Sequence, residues 1–463
     1  MKFYIDQHGC AKNQVDGEEI AARLEDNGHE YVSSAEAADL VIVNSCGFIE
    51  SAKRESIEAT IAIKTRWPGK KVLLAGCLAQ RYPEALLGDM AEADGIFGNA
   101  DLSLVADAVR KTLGGDREAI VPAQPDAIGG SYYSRHRLFD FPGTTYVKAT
   151  EGCDNCCTYC AIPLIRGRLR SRSVEDIVDE CEALIGRGIR EINLIGQDLG
   201  AYGRDRRSGN LAAGVSPAVN GSALSSSGSR TPGLADLLAA LSALEGDFRV
   251  RTLYIHPDHF PEGILEVMAR DKRILPYFDL PLQHASERVL KAMNRKGSPR
   301  VYLDLIAKIR ASLDDAIIRS TFLVGFPGET DEDFEELRRF QDEAKLDWLG
   351  VFTYSREENT PAYSMKGRVA KKIAEGRKAS IETAQEAITG ERLQRFIGRT
   401  VEVLAEERVE GETLTLGRAW MQAPDVDGLT VVKGNFEPGT TCMARIVGVN
   451  GVDLEAEPVG TEA

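Results

Sequence analysis

Short apolar runs alternate with stretches of helical spacing along the first 128 residues. Phe3-Tyr4-Ile5, Leu40-Val41-Ile42-Val43 and Val72-Leu73-Leu74-Ala75 read as buried strands, with Gly95-Ile96-Phe97-Gly98 as a fourth. Between them, Gly17 to Asn27, closed by Gly28, and Ser51 to Thr65 carry the apolar spacing of helices. Strands alternating with helices build a doubly wound parallel sheet, so residues 1–128 form an α/β domain. The alternation resumes near Arg135. Strand runs at 145–149, 191–198, 250–255, 277–280, 317–325 and 348–353 are separated by helical stretches at 174–187, 234–244, 264–269, 286–293, 301–312 and 331–344. Such a run of βα-like units predicts a full or partial parallel barrel over 135–367, with its active site at the C-terminal strand ends.

Three further segments complete the plan. From Ser208 to Thr231, Gly, Ser, Ala, Asn and Pro dominate, which predicts a disordered surface insertion within 204–233. Residues 368–395 are charged and helix-rich, and read as a connector. Short strand runs at 400–404, 413–416, 429–432, 442–447 and 452–455, split by Gly and Pro, predict a small antiparallel OB-like barrel over 396–463.

The candidate chemistry lies in the cysteines. Glu151-Gly152-Cys153-Asp154-Asn155-Cys156-Cys157-Thr158-Tyr159-Cys160 contains C-x3-C-x2-C through Cys153, Cys157 and Cys160. Three thiolates at this spacing hold three irons of a cubane cluster and leave the fourth open to a ligand. C-x2-C-x3-C through Cys153, Cys156 and Cys160 is equally compatible with the spacing. A disulfide framework fits poorly in a long chain with adjacent Cys156 and Cys157, and structural zinc lacks a second C-x2-C pair here. Cys10, Cys46 and Cys77 each follow one of the first three strand runs by a few residues. Ligands of open α/β sheets gather at those ends, so these cysteines are candidates for a second metal site; buried, inert thiols are the plainer reading. Arg166, Arg168, Arg170 and Arg172 alternate, and would share one face if that segment is extended. They would then pair with carboxylates of a cofactor or substrate site, or form a solvated edge. Gly325-Phe326-Pro327-Gly328 closes a strand with a turn that permits close backbone approach to a ligand. His256, His259 and His284 stand at predicted strand ends without an assigned role.

Composition narrows the partners. Nine cysteines, no basic-then-apolar leader and no apolar run of membrane-spanning length point to a reducing cytoplasm and no membrane. The formal net charge is −15, and residues 396–463 hold five basic against twelve acidic side chains. An acidic surface disfavours a nucleic-acid substrate and attracts basic proteins.

The cysteine loop, with Tyr159 before Cys160, resembles that of the radical S-adenosylmethionine superfamily. The whole architecture resembles the methylthiotransferases within it. Gly9-Cys10-Ala11-Lys12-Asn13, Asn44-Ser45-Cys46-Gly47-Phe48-Ile49-Glu50, Gly76-Cys77-Leu78-Ala79-Gln80-Arg81-Tyr82, Gln197-Asp198-Leu199-Gly200-Ala201-Tyr202-Gly203, His256-Pro257-Asp258-His259-Phe260 and Pro281-Leu282-Gln283-His284-Ala285-Ser286 are similar to the branch acting on a small-subunit ribosomal protein. The resemblance implies an N-terminal domain with an auxiliary [4Fe–4S] cluster on Cys10, Cys46 and Cys77, a radical barrel with a [4Fe–4S] cluster on Cys153, Cys157 and Cys160, and a TRAM-type C-terminal domain. It makes Cys156 a bystander and implies S-adenosylmethionine as cofactor, with Tyr159, Gln197, Gly325 and Gly328 near it. It further implies methylthiolation of an aspartate β-carbon in ribosomal protein twelve, free or in the assembled subunit, with a reduced protein as electron donor. The related branch modifies isopentenyl-adenosine in transfer RNA; the acidic tail favours the protein. The 208–231 insertion and Cys156 depart from the family pattern.

Overall fold

A computed structural model describes residues 1–125, 135–207 and 231–460. The insertion expected at 208–231 lies, but for Thr231, outside the described residues.

The N-terminal strands are Lys2–Gln7 (β1), Glu30–Tyr31 (β2), Leu40–Ser45 (β3), Lys71–Gly76 (β4), Gly95–Phe97 (β5) and Ala119–Ile120 (β6). They form one parallel sheet in the order β2-β1-β3-β4-β5-β6. Side chains alternate between its faces. Phe3, Ile5, Leu40, Ile42, Leu73 and Ala75 enter one core, and Val41, Val43, Val72 and Leu74 the other. The first helix, Ala11–Asp26, begins directly after Cys10, six residues before the apolar spacing predicts. Its first turns bury Lys12, Asn13 and Asp16 beside Val15, so most buried positions there are polar and leave little hydrophobic period to read.

The middle of the chain holds Thr144–Lys148 (β7), Thr150–Glu151 (β8), Arg170–Ser171 (β9), Glu191–Ile195 (β10), Arg249–Thr252 (β11), Ile274–Gln283 (β12), Ile317–Val324 (β13) and Trp348–Thr353 (β14). Six of these make an open parallel sheet, β14-β13-β12-β11-β10-β7, so the barrel is partial. β8 and β9 pair as a short antiparallel ribbon beside the cysteine loop. The arginine series does not share one extended face. Ile162–Arg166 is helical and only Arg170–Ser171 is strand, because the chain turns back at Gly167 (φ +71).

Thr400–Arg408 (β15), Leu414–Ala419 (β16), Thr430–Lys433 (β17), Thr441–Asn450 (β18) and Asp453–Pro458 (β19) close a barrel in the order β15-β16-β17-β19-β18. It is not wholly antiparallel, since β17 and β19 run parallel. Five strands in a closed ring cannot alternate throughout, and this pair absorbs the mismatch. The barrel packs into the open inner face of the central sheet. Tyr146, Ile195, Leu275, Tyr277, Ile317 and Trp348 share one core with Val401, Val403, Met421 and Ala444. Trp420 meets the Phe396 ring edge-on at 5.7 Å and packs against this core.

A charged hub stitches the two together. Glu191, fully buried at the start of β10, accepts from Arg418 Nη1 at 2.6 Å, Arg249 Nε at 2.6 Å and Arg251 Nη2 at 3.3 Å. Arg418 also donates to Glu406 at 2.6 Å, and Trp348 Nε1 to the Met421 carbonyl at 2.8 Å. Among the described residues no helix is long and apolar enough to cross a membrane.

Candidate metal and cofactor site

Three loops meet at the C-terminal edge of the N-terminal sheet. Cys10 caps the helix after β1, Cys46 follows β3, and Cys77 opens the helix after β4. A Cβ on Gly9 would stand 3.0 Å from Cys46 Cβ, and one on Gly47 only 2.6 Å from the Cys77 carbonyl oxygen, so the loops touch. Asn13 ties them, donating to the His8, Asn44 and Ser45 carbonyls at 2.7, 3.0 and 3.3 Å. Cys77 Sγ accepts from Asn99 Nδ2 at 3.2 Å and Arg166 Nη2 at 3.4 Å.

The second cysteine loop hangs between β8 and β9. Cys153 N donates to the Gly167 carbonyl, and Cys160 N to that of Cys157, at 3.1 and 3.0 Å. Asn155 donates to Asp198 at 2.9 Å, and Asn294 to the Asn155 and Cys156 carbonyls at 3.3 and 3.1 Å. Cys156 is exposed with φ 51°, turned out of the run. Gly152 adopts φ +70°, and a Cβ there would lie 2.0 Å from the Arg168 carbonyl oxygen. Gly152→Ala should therefore cost more than about 1 kcal/mol and push β9 off β8. A lower thermal midpoint, together with less iron per chain after anaerobic reconstitution, would register it.

Burial dominates the thiols. It pushes Cys46 and Cys153 up to about 12 and raises Cys77 and Cys160 as well. Such thiols are poor nucleophiles at neutral pH. A bound cation would compensate their thiolates, so metal binding here releases protons. Among the described residues no three His, Cys, Asp or Glu side chains gather around a single ion. Cubane ligands attach to separate irons and stand further apart than that.

The predicted cofactor residues surround the second loop unevenly. Gln197, just past β10, has both amide atoms buried without a hydrogen-bond partner within the protein. Tyr159 packs on Val289, Met293, Phe326 and Ala362, with its hydroxyl 3.5 Å from Arg295 Nη1. Gly325 and Gly328 lie at the turn after β13 with φ +77° and +87°. The Gly325 amide is taken by the Glu329 carboxylate, and a Cβ there would meet Ala374 at 2.5 Å, so helix packing already accounts for this glycine. His259 Nδ1 lies 2.7 Å from Asp198 Oδ2, and since a carboxylate only accepts, that nitrogen carries the proton. His256 is held neutral, its pKa lowered to about 3 by burial and then by Arg295. His284 Nδ1 accepts from the Ser286 amide at 3.0 Å.

Sequence reasoning missed Arg295 and Asp16, and named Arg166 only within the alternating series, without its partners Asp16 and Glu151. Arg295, buried, donates to the Pro281 carbonyl at 2.6 Å and lies 3.9 Å from Cys157 Sγ. Asp16 is buried under Lys148 and Arg166. Polar residues four apart, Lys12 and Asp16, beside a cysteine were the available signal.

Three family models match the chain: the Radical SAM superfamily over 147–340, the Uncharacterized protein family UPF0004 over 2–98 and the TRAM domain over 397–459. The first carries S-adenosylmethionine and a [4Fe–4S] cluster as cofactors of the family. A ribosomal protein uS12 methylthiotransferase RimO of Treponema denticola is 48% identical, covering 98% of this chain and 100% of that protein. Those of Syntrophomonas wolfei (38%, 97% and 98%) and Thermotoga maritima (39%, 95% and 95%) are similar throughout. Among solved structures, the radical S-adenosylmethionine methyltransferase TsrM of Kitasatospora setae shares the fold at TM-score 0.55 and 15% identity, over 78% of this chain and 74% of that one. Alike to these relatives along nearly its whole length, the chain belongs to the RimO family of ribosomal protein uS12 methylthiotransferases.

Proposed function

We propose that this chain inserts sulfur and a methyl group at the β-carbon of an aspartate in ribosomal protein uS12. Two cysteine sets, each at the C-terminal edge of a parallel sheet and joined by one buried charge network, carry this reading. Cys153, Cys157 and Cys160 would hold one [4Fe–4S] cluster, and Cys10, Cys46 and Cys77 a second. When bound, the first would supply the electron that cleaves one S-adenosylmethionine for hydrogen abstraction, the second would supply sulfur, and a second S-adenosylmethionine would supply the methyl group, leaving S-adenosylhomocysteine.

The chain's own groups do the positioning. Asn155, held by Asp198, and Asn294 brace the loop from both sides. Arg295 places a positive charge beside Cys157, and Gln197 offers an unpaired amide to the cofactor. Tyr159 fixes the loop against an apolar wall. Gly325 and Gly328 shape the adjoining turn. An unactivated C–H bond explains the need for radical chemistry, because no side-chain base here could remove that proton at a useful rate. The acidic C-terminal barrel favours a basic protein substrate, free or in the subunit, over RNA. A reduced protein donor in a reducing cytoplasm completes the scheme.

A paired assay tests it. Anaerobically reconstituted protein with reductant and S-adenosylmethionine receives uS12 or its aspartate-bearing loop peptide in one tube, and hypomodified transfer RNA in the other. Mass spectrometry should find a methylthio group on the peptide alone. An adduct on the RNA alone would overturn the substrate.

A further inference from the structure

We propose that Arg166 is the electrostatic link between the two cysteine sets, a positioning residue that raises the reduction potential of the cluster at Cys10, Cys46 and Cys77. The proposal rests on the assignment of those cysteines made above. Arg166 is 4% exposed and follows the barrel cysteine loop by six residues. Its Nη2 donates to Cys77 Sγ at 3.4 Å and to Asp16 Oδ2 at 2.7 Å, and its Nη1 to both Glu151 oxygens at 3.0 and 3.1 Å. Asp16 belongs to the helix that Cys10 caps, and Glu151 lies two residues before Cys153. One planar guanidinium thus touches the frames of both sites. Lys148 pairs with the same two carboxylates, so the two cations and two anions balance, and Arg166 meets the sulfur as a charge-assisted hydrogen-bond donor within that neutral cluster.

Hydrogen bonds and charge at cluster sulfurs set reduction potentials. A donor cation favours the more negative, reduced state and raises the potential. Lysine preserves the charge but not the fork that reaches three partners at once.

The test uses the full chain carrying Cys153→Ala, Cys157→Ala and Cys160→Ala, which isolates the other cluster, and an EPR-monitored redox titration. In this background Arg166→Gln should lower the reduction equilibrium constant at least about tenfold, a midpoint more negative by about 59 mV for one electron. Arg166→Lys should fall between. If Arg166→Gln fails to retain iron, Arg166→Lys decides, by a smaller shift in the same direction. Unchanged midpoints with cluster retained would overturn the proposal. Absence of any cluster in the parent triple variant would overturn the cysteine assignment itself, and the proposal with it.

Discussion

Cys157→Ala should reduce cleavage of S-adenosylmethionine to the uncatalysed background, while Cys10→Ala should leave cleavage intact and stop methylthio transfer. The two thiols belong to separate sites, one on the loop between β8 and β9 and one at the head of the helix Ala11–Asp26. A cubane held by three cysteines has no spare ligand, so loss of one removes the cluster or its open iron. Cys156→Ala supplies the comparison. That side chain is exposed and turned out of the loop, and its variant should keep both activities. Measuring 5′-deoxyadenosine and the modified peptide in the same tube separates the three outcomes. Sulfur transfer surviving in the Cys10 variant would remove that thiol from the chemistry.

The second large effect lies far from the cysteines. Glu191→Gln should cost about 3–5 kcal/mol, because breaking a buried ion pair leaves its partners uncompensated. Arg418, Arg249 and Arg251 all donate to this one carboxylate, from two domains. Burial works to raise the Glu191 pKa, but Arg418, then Arg249 and Arg251, hold it well below the usual range. A depressed folded value means the stabilisation is fully present above the unfolded carboxylate value, about 4.3. It is lost as pH falls from there through the folded value. The Glu191 contribution to docking of the C-terminal barrel should therefore be unchanged between pH 7 and 5 and weaken only in stronger acid. Urea unfolding at several pH values, with limited proteolysis near residue 396, reads both effects. A wild-type unfolding midpoint in the Gln variant would show that the three arginines find other partners.

Much of this was legible in the chain. The runs at Leu40, Val72 and Ile317 fall within strands β3, β4 and β13, because an apolar run bounded by polar turns is a local signal. Cys46 and Cys77 could be placed at strand ends for the same reason. Long-range pairing left no such trace. Nothing near Glu191 announces Arg418, 227 residues on, nor does anything near Asp16 announce Arg166, 150 residues on. The alternating arginines show how a local pattern misleads. Arg168 is 86% exposed on its side chain and pairs with Asp154, while Arg166 and Arg172 are buried on separate carboxylates. Alternation implied one face, but the turn at Gly167 sends them apart. Charged residues inside predicted strands, Glu191 in the run 191–198 and Arg251 in the run 250–255, were the overlooked hint that this sheet is lined by another domain.

The shared core between sheet and C-terminal barrel also bears on how the protein is made. Tyr146, Tyr277 and Trp348 emerge from the ribosome well before Val401, Met421 and Ala444, which cover them. Until the last stretch of chain is released, the concave side of the sheet stays wet and adhesive, a state in which nascent chains are prone to aggregate. A premature stop after the connector would thus yield no smaller working enzyme, only a half-lined shell for chaperones and proteases to clear.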